Sequence, residues 1–157
     1  MRAPLFVLGL ILLAGSCTTQ EPCDEDSVSE LVAVFKTETG GEVRDTTVSG
    51  LSIYGIREGQ STWLLYDSLS LSKILLPLDP HHDFSRFVFF TSIQSDTLTI
   101  NHSSELYLIS YSCGFGSQFT LDDYNQYATG MFTGDSTINE NVNSSLEQED
   151  VHIWLYF

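Results

Sequence analysis

Apolar and polar positions alternate with a period of two along most of this chain, the signature of half-buried strands. After residue 27 the first such run is Leu31-Val32-Ala33-Val34-Phe35, followed by a turn within 38–45 around Gly40-Gly41. A second runs over 48–56, with Leu51, Ile53 and Gly55 against Ser52 and Tyr54. Further strands are predicted at 63–66, 71–78, 87–90, 96–100, 105–111, 115–121 and 151–157. Pro77 and Pro80 end the run at 71–78, because proline cannot donate to a ladder. The span 122–150 has the weakest pattern; a short strand near 128–132 and then a polar loop are expected there.

No stretch after the N-terminal apolar run has helical periodicity, and no linker divides the chain. Short strands at regular spacing between turn residues point to an all-β fold, a sandwich or a barrel. Several runs are apolar on both faces, as in LVAVF, KILLPL and FVFF. A membrane barrel needs one lipid-facing apolar side and a polar interior, so the expectation is a single immunoglobulin-like β-sandwich over residues 28–157.

The first sixteen residues read differently. Arg2 is followed by an uninterrupted apolar run, Pro4 to Leu13, and then by Ala14, Gly15 and Ser16. A charged start, a short apolar core and small residues describe a secretory signal; a spanning helix needs about 20 apolar residues. Leu13-Ala14-Gly15-Ser16-Cys17 resembles a bacterial lipobox, with Ala14 where leucine is usual. That resemblance implies cleavage before Cys17 and acylation of Cys17 by diacylglycerol and palmitate-type chains. Two or three chains make a stable anchor, since each buried CH₂ contributes about 0.8 kcal/mol. Residues 1–16 are then a signal peptide and 17–27 a lipidated acidic tether. Removing 16 of 157 residues leaves 141 and takes the formal charge from −15 to −16.

Charge and cysteine count sharpen the picture. Six Lys and Arg stand against 21 acids, which excludes the basic patch that nucleic-acid binding requires. With Cys17 acylated, Cys23 and Cys113 remain. In an oxidising envelope an even pair reads as a disulfide, the alternative being two buried free thiols.

Candidate chemistry is sparse. Asp79-Pro80-His81-His82-Asp83 is the densest cluster. His81, His82 and Asp83 are weak candidates for a metal, which would need a third ligand such as His102 or His152. Asp24-Glu25-Asp26 and Asp122-Asp123 offer hard oxygens but lack the loop that shapes a calcium site. No nucleophile elbow, zinc-protease motif or phosphate-cradling loop is present. Trp63, Tyr66, Tyr107, Tyr111, Trp154 and Tyr156 fit either a sugar-stacking platform or ordinary cross-strand packing. No catalytic residue and no cofactor is implied.

The whole mature chain resembles an uncharacterised family of small lipoproteins from Bacteroidota, a domain of unknown function. Residues 74–80 (ILLPLDP), 96–100 (DTLTI), 111–115 (YSCGF) and 152–157 (HIWLYF) carry the resemblance, with Cys23 and its following acids. It implies an envelope location and a compact β domain with Cys23 and Cys113 as its staple. Two further patterns gain meaning in that lineage. Asp24-Glu25-Asp26 resembles a surface-exposure signal. Asp-Ser/Thr followed by an apolar or Thr residue resembles an O-glycosylation acceptor, making Ser27, Thr46, Ser68, Thr97 and Ser136 candidates; turn chemistry explains the same pattern. The expected role is that of an outer-membrane lipoprotein, facing the periplasm or the cell surface. It would act as a binding or assembly module for another envelope protein such as a β-barrel. A small envelope hydrolase built on His81, His82 and nearby acids is the alternative.

Overall fold

The computed structural model describes residues 29–57, 59, 61–122, 131–143 and 150–157. Eleven strands and no helix occur among them: β1 (Glu30–Thr39), β2 (Glu42–Asp45), β3 (Val48–Ile56), β4 (Trp63–Leu71), β5 (Lys73–Pro77), β6 (Phe84–Phe90), β7 (Ser95–Ser110), β8 (Gly114–Leu121), β9 (Gly134–Thr137), β10 (Asn141–Val142) and β11 (Ile153–Tyr156). They form a five-stranded sheet, β2-β1-β11-β9 with β5 also on β1, and a six-stranded sheet, β10-β8-β7-β6-β3-β4. Their inner faces enclose one apolar core, so the domain is a β-sandwich.

The alternation in sequence is the alternation in burial. Leu31, Ala33 and Phe35 of β1 face inward, with Ile74 and Leu76 of β5, Phe87 and Phe89 of β6, Leu98 and Ile100 of β7, and Ile153 and Leu155 of β11. Strand β3 keeps two inward sets, Val48 and then Leu51, Ile53 and Gly55, whose parities differ. A bulge between Val48 and Leu51 absorbs the extra residue, and Gly50 takes the left-handed φ of 66° it requires. A second irregularity sets Asp67 and Ser68 of β4 opposite Ser52, whose hydroxyl accepts the Ser68 N–H at 3.0 Å.

β1 organises its sheet. It pairs in parallel with β11, so the first and last of the described strands lie side by side. Its other edge is shared: residues 30–34 pair with β5 and residues 36–39 with β2. Between them, the Phe35 N–H donates to the Ser72 carbonyl and its carbonyl accepts from Thr46. The outer edge of β5 is closed from the other sheet. The Tyr66 hydroxyl of β4 accepts the Leu75 N–H at 2.9 Å and donates to the Leu75 carbonyl at 3.1 Å. An open strand edge invites pairing with another chain, and this contact blocks it. Tyr66→Phe should therefore cost roughly 1–2 kcal/mol in urea unfolding; an unchanged midpoint would contradict the role.

Three expectations change. The turn foreseen in 38–45 is a hairpin, β1 running to Thr39 and β2 returning after Gly40-Gly41. The segments expected at 96–100 and 105–111 are one 16-residue strand, β7. Of the strand foreseen near 128–132, residues 128–130 lie outside the described residues. Met131 and Phe132 are buried but not in a strand, and β9 and β10 follow where a polar loop was expected.

Candidate functional site

The polar chemistry of the domain gathers at one end, where β3 runs out and the 78–83 connection joins β5 to β6. Arg57 follows β3 directly. Its Nε lies 3.0 Å from Asp79 Oδ2, and the His82 Nδ1 lies 3.2 Å from the same oxygen. The His81 N–H donates to Asp79 Oδ1 at 3.0 Å. Burial by itself pushes the Asp79 carboxyl up. The His81 N–H, the His82 ring and the Arg57 guanidinium outweigh it and hold the group below its ordinary value.

Behind this cluster the Asp79 N–H donates to Ser85 Oγ at 2.8 Å, and Ser85 Oγ lies 2.9 Å from His102 Nε2. A serine–histidine contact of this length resembles a nucleophile and its base. The burial decides otherwise: Ser85 is 5% exposed and His102 0%, beneath Phe119, whose ring packs edge-on at 5.0 Å. The hydroxyl already accepts a backbone N–H, and among the described residues His102 Nδ1 has no hydrogen-bond partner that would orient it as a base. The pair ties β6 to β7 and holds the 78–83 connection. A cavity of about 190 Å³ opens beside it, lined by Ser29, Arg57, Pro77, Leu78, Pro80, Ser117 and Phe119.

The metal candidates do not converge. His81 and Asp83 are exposed, His82 faces Asp79, and His102 lies in the core. His152 sits at the opposite sheet, where its Nδ1 accepts the Val32 N–H at 2.9 Å. Among the described residues no three His, Cys, Asp or Glu side chains come together as a metal set. Aromatic residues divide likewise among β4, the β7–β8 hairpin and β11. Arg57 lies over Trp63 with its guanidinium carbon 5.0 Å from the ring centroid, and Lys36 Nζ lies 4.6 Å from that of Trp154. Arg57 and Ser85 are the participants that the sequence did not single out. The pairing of Ile56 with Arg86 brings the end of β3 to the start of β6.

Of the candidate acceptors, Ser68 is exposed on edge strand β4, while Thr46, Thr97 and Ser136 are half-buried. Asp122 ends β8's run by donating its N–H to Asn101. Cys17, Cys23, the acids at 24–26, Ser27 and Asp123 lie outside the described residues.

Burial depresses both His102 and His152 below the ordinary histidine value of 6.5. Acids nearby oppose this at His102, and Asn141 and Asp150 at His152, without reversing it. The folded state thus favours neutral rings, whereas the unfolded chain takes up protons below about pH 6.5. Stability is full above that pH and declines as pH falls through it, by at most about 1.4 kcal/mol per pH unit for each ring. Urea midpoints at pH 7.5 and 5.5 test the sign; greater stability at pH 5.5 would contradict it.

The fold and this end of it define a small all-β sandwich with a buried polar brace beneath a partly exposed Arg–Asp–His cluster. The chain belongs to DUF6452, a family of unknown function, whose model matches residues 50–157. No curated protein and no solved structure matches it. The match begins inside β3, so β1 and β2 precede it, although β1 joins β11 to β5 and β2.

Proposed function

We propose that this protein is an outer-membrane lipoprotein whose β-sandwich serves as a non-catalytic binding or envelope-assembly module. One observation carries the reading: the signal-like run ending in Leu13-Ala14-Gly15-Ser16-Cys17 stands thirteen residues ahead of Glu30, the first residue of β1. Such an arrangement suits a module tethered by acyl chains on Cys17. The burial of Ser85 and His102 favours binding over catalysis at the polar end. A partner within the envelope, such as a β-barrel, fits a tethered module, and the acids at 24–26 fit a tether that presents it at the cell surface. Fractionation tests the anchor. Wild-type protein should sediment with membranes and Cys17→Ala should be released; continued membrane association of the variant contradicts lipidation. Crosslinked pull-down from intact cells then tests for an envelope partner.

The same reading includes a Cys23–Cys113 disulfide. The Ser29 hydroxyl donates to the Ser117 carbonyl on β8, four residues past Cys113. Cys23 lies six residues before Ser29, within reach of the β7–β8 turn at about 3.3 Å per residue. Thiol labelling of the denatured, unreduced protein should modify neither cysteine; labelling of both would contradict the bridge.

A further inference from the structure

The β7–β8 hairpin outgrows the sandwich. β6 pairs with β7 only as far as Asn101, whereas β7 and β8 stay paired from His102–Leu121 to Ser110–Gly114. The Ser104 hydroxyl still touches the 78–83 connection, donating to the Pro80 carbonyl at 3.1 Å. From Ser104 to Ser110 the strand extends about 20 Å further, at roughly 3.3 Å per residue.

The two faces of this outer half differ. On one, Tyr107 and Ile109 close over Gly116: a Cβ there would lie 3.0 Å from the tyrosine ring and 3.1 Å from Ile109 Cδ1. The other continues the core-facing side of β7 beyond its opposing sheet. There Leu106 is 74% exposed, Leu108 is 48% exposed and its cross-strand partner Phe115 is 65% exposed. Tyr111 at the turn is fully exposed. Large apolar side chains grouped on an exposed face mark an interaction surface. In a chain of formal charge −15, residues 105–116 carry one acid, Glu105, and no base.

Position supplies the occupant. Ser29 binds Ser117, which pairs with Leu106 two residues into the outer half, so the chain enters the domain beside the projecting hairpin. With Cys23 bridged to Cys113 as proposed above, the six residues from Cys17 to Cys23 span at most about 20 Å from the hairpin's turn, which keeps the acyl chains near its tip. An apolar, aromatic-tipped hairpin with a single acid, beside the entry of a lipidated tether, matches the interfacial zone of a bilayer. We propose that the outer half of the β7–β8 hairpin contacts the bilayer that holds the acyl chains. Leu106, Leu108 and Phe115 would enter the acyl boundary and Tyr111 sit among the headgroups. This inference rests on the lipid-anchored reading above.

Tyr111→Trp in the full acylated protein tests it, in phosphatidylcholine vesicles with and without brominated acyl chains. The added emission should fall about twofold with brominated lipid, as for a group roughly 5–10 Å into the interface, while Trp63 and Trp154 in the parent protein stay unquenched. Leu108→Asp in the same background should abolish the quenching. Absence of quenching in protein whose N-terminal peptide carries acyl chains by mass spectrometry overturns the hairpin contact and leaves the anchor standing. A peptide without acyl chains overturns both. Crosslinking of position 111 to a second copy, with no quenching, replaces the bilayer with self-association.

Discussion

Asp96→Ala should destabilise the domain by roughly 3–5 kcal/mol, because one buried carboxylate accepts from three backbone N–H groups. Asp96 stands on the inward side of β7, in line with Leu98 and Ile100, and is 2% exposed. Its Oδ2 accepts the N–H groups of Met131 and Phe132 at 3.0 and 3.1 Å, and Oδ1 accepts that of Thr97 at 2.8 Å. These bonds hold the Phe132 ring in the core. The ring is edge-on to Phe89 at 4.9 Å and to Phe157 at 6.5 Å, and stacked with Phe35 at 6.2 Å. Truncation strands two buried N–H groups at about 1–3 kcal/mol each and loosens an aromatic contact that joins both sheets. Asp96→Asn keeps one acceptor oxygen and should lose about half as much. Urea unfolding of both variants checks the order, and a loss below about 1 kcal/mol for alanine would show that water replaces the carboxylate.

Asp96 also shows where a sequence stops being legible. The period-two pattern located most of the sandwich because Leu98, Ile100, Ile74, Leu76, Ile153 and Leu155 obey it with apolar side chains. β7 obeys it for longer, but with Asp96 and His102 in inward positions, so apolar alternation marks only its middle. β9, with sequence GDST, has no apolar signal; it exists because Ile153 to Tyr156 supply partners for its backbone. Partners also decide the parallel contact between β1 and β11, which joins residues 120 positions apart, as at Ala33 and Ile153. The polar end was half legible. Asp79 and the histidines beside it stood out as a cluster, whereas Arg57 and Ser85 join them only through the register of β3, β6 and β7.

Gly55→Ala should cost about 3 kcal/mol, at the upper end of the range for adding a methyl group to a packed site. Gly55 is buried on β3 between Trp63 of β4 and Phe87 of β6. A Cβ on its backbone would fall 2.2 Å from Trp63 Cζ2 and 2.4 Å from Cε2, so the indole must move. The indole is the far end of no flexible chain; it fills the space that glycine leaves, with Arg57 over its ring. Its displacement also disturbs the guanidinium that faces Asp79. Clash and intrinsic preference can be separated, since alanine is better than glycine in a strand by roughly 0.5–1 kcal/mol when nothing opposes it. In a Trp63→Ala background nothing does. There Gly55→Ala should turn from destabilising to mildly stabilising, a coupling of about 3–4 kcal/mol between two residues in direct contact. If the cost of Gly55→Ala is the same with and without Trp63, the indole is not what demands glycine at this position.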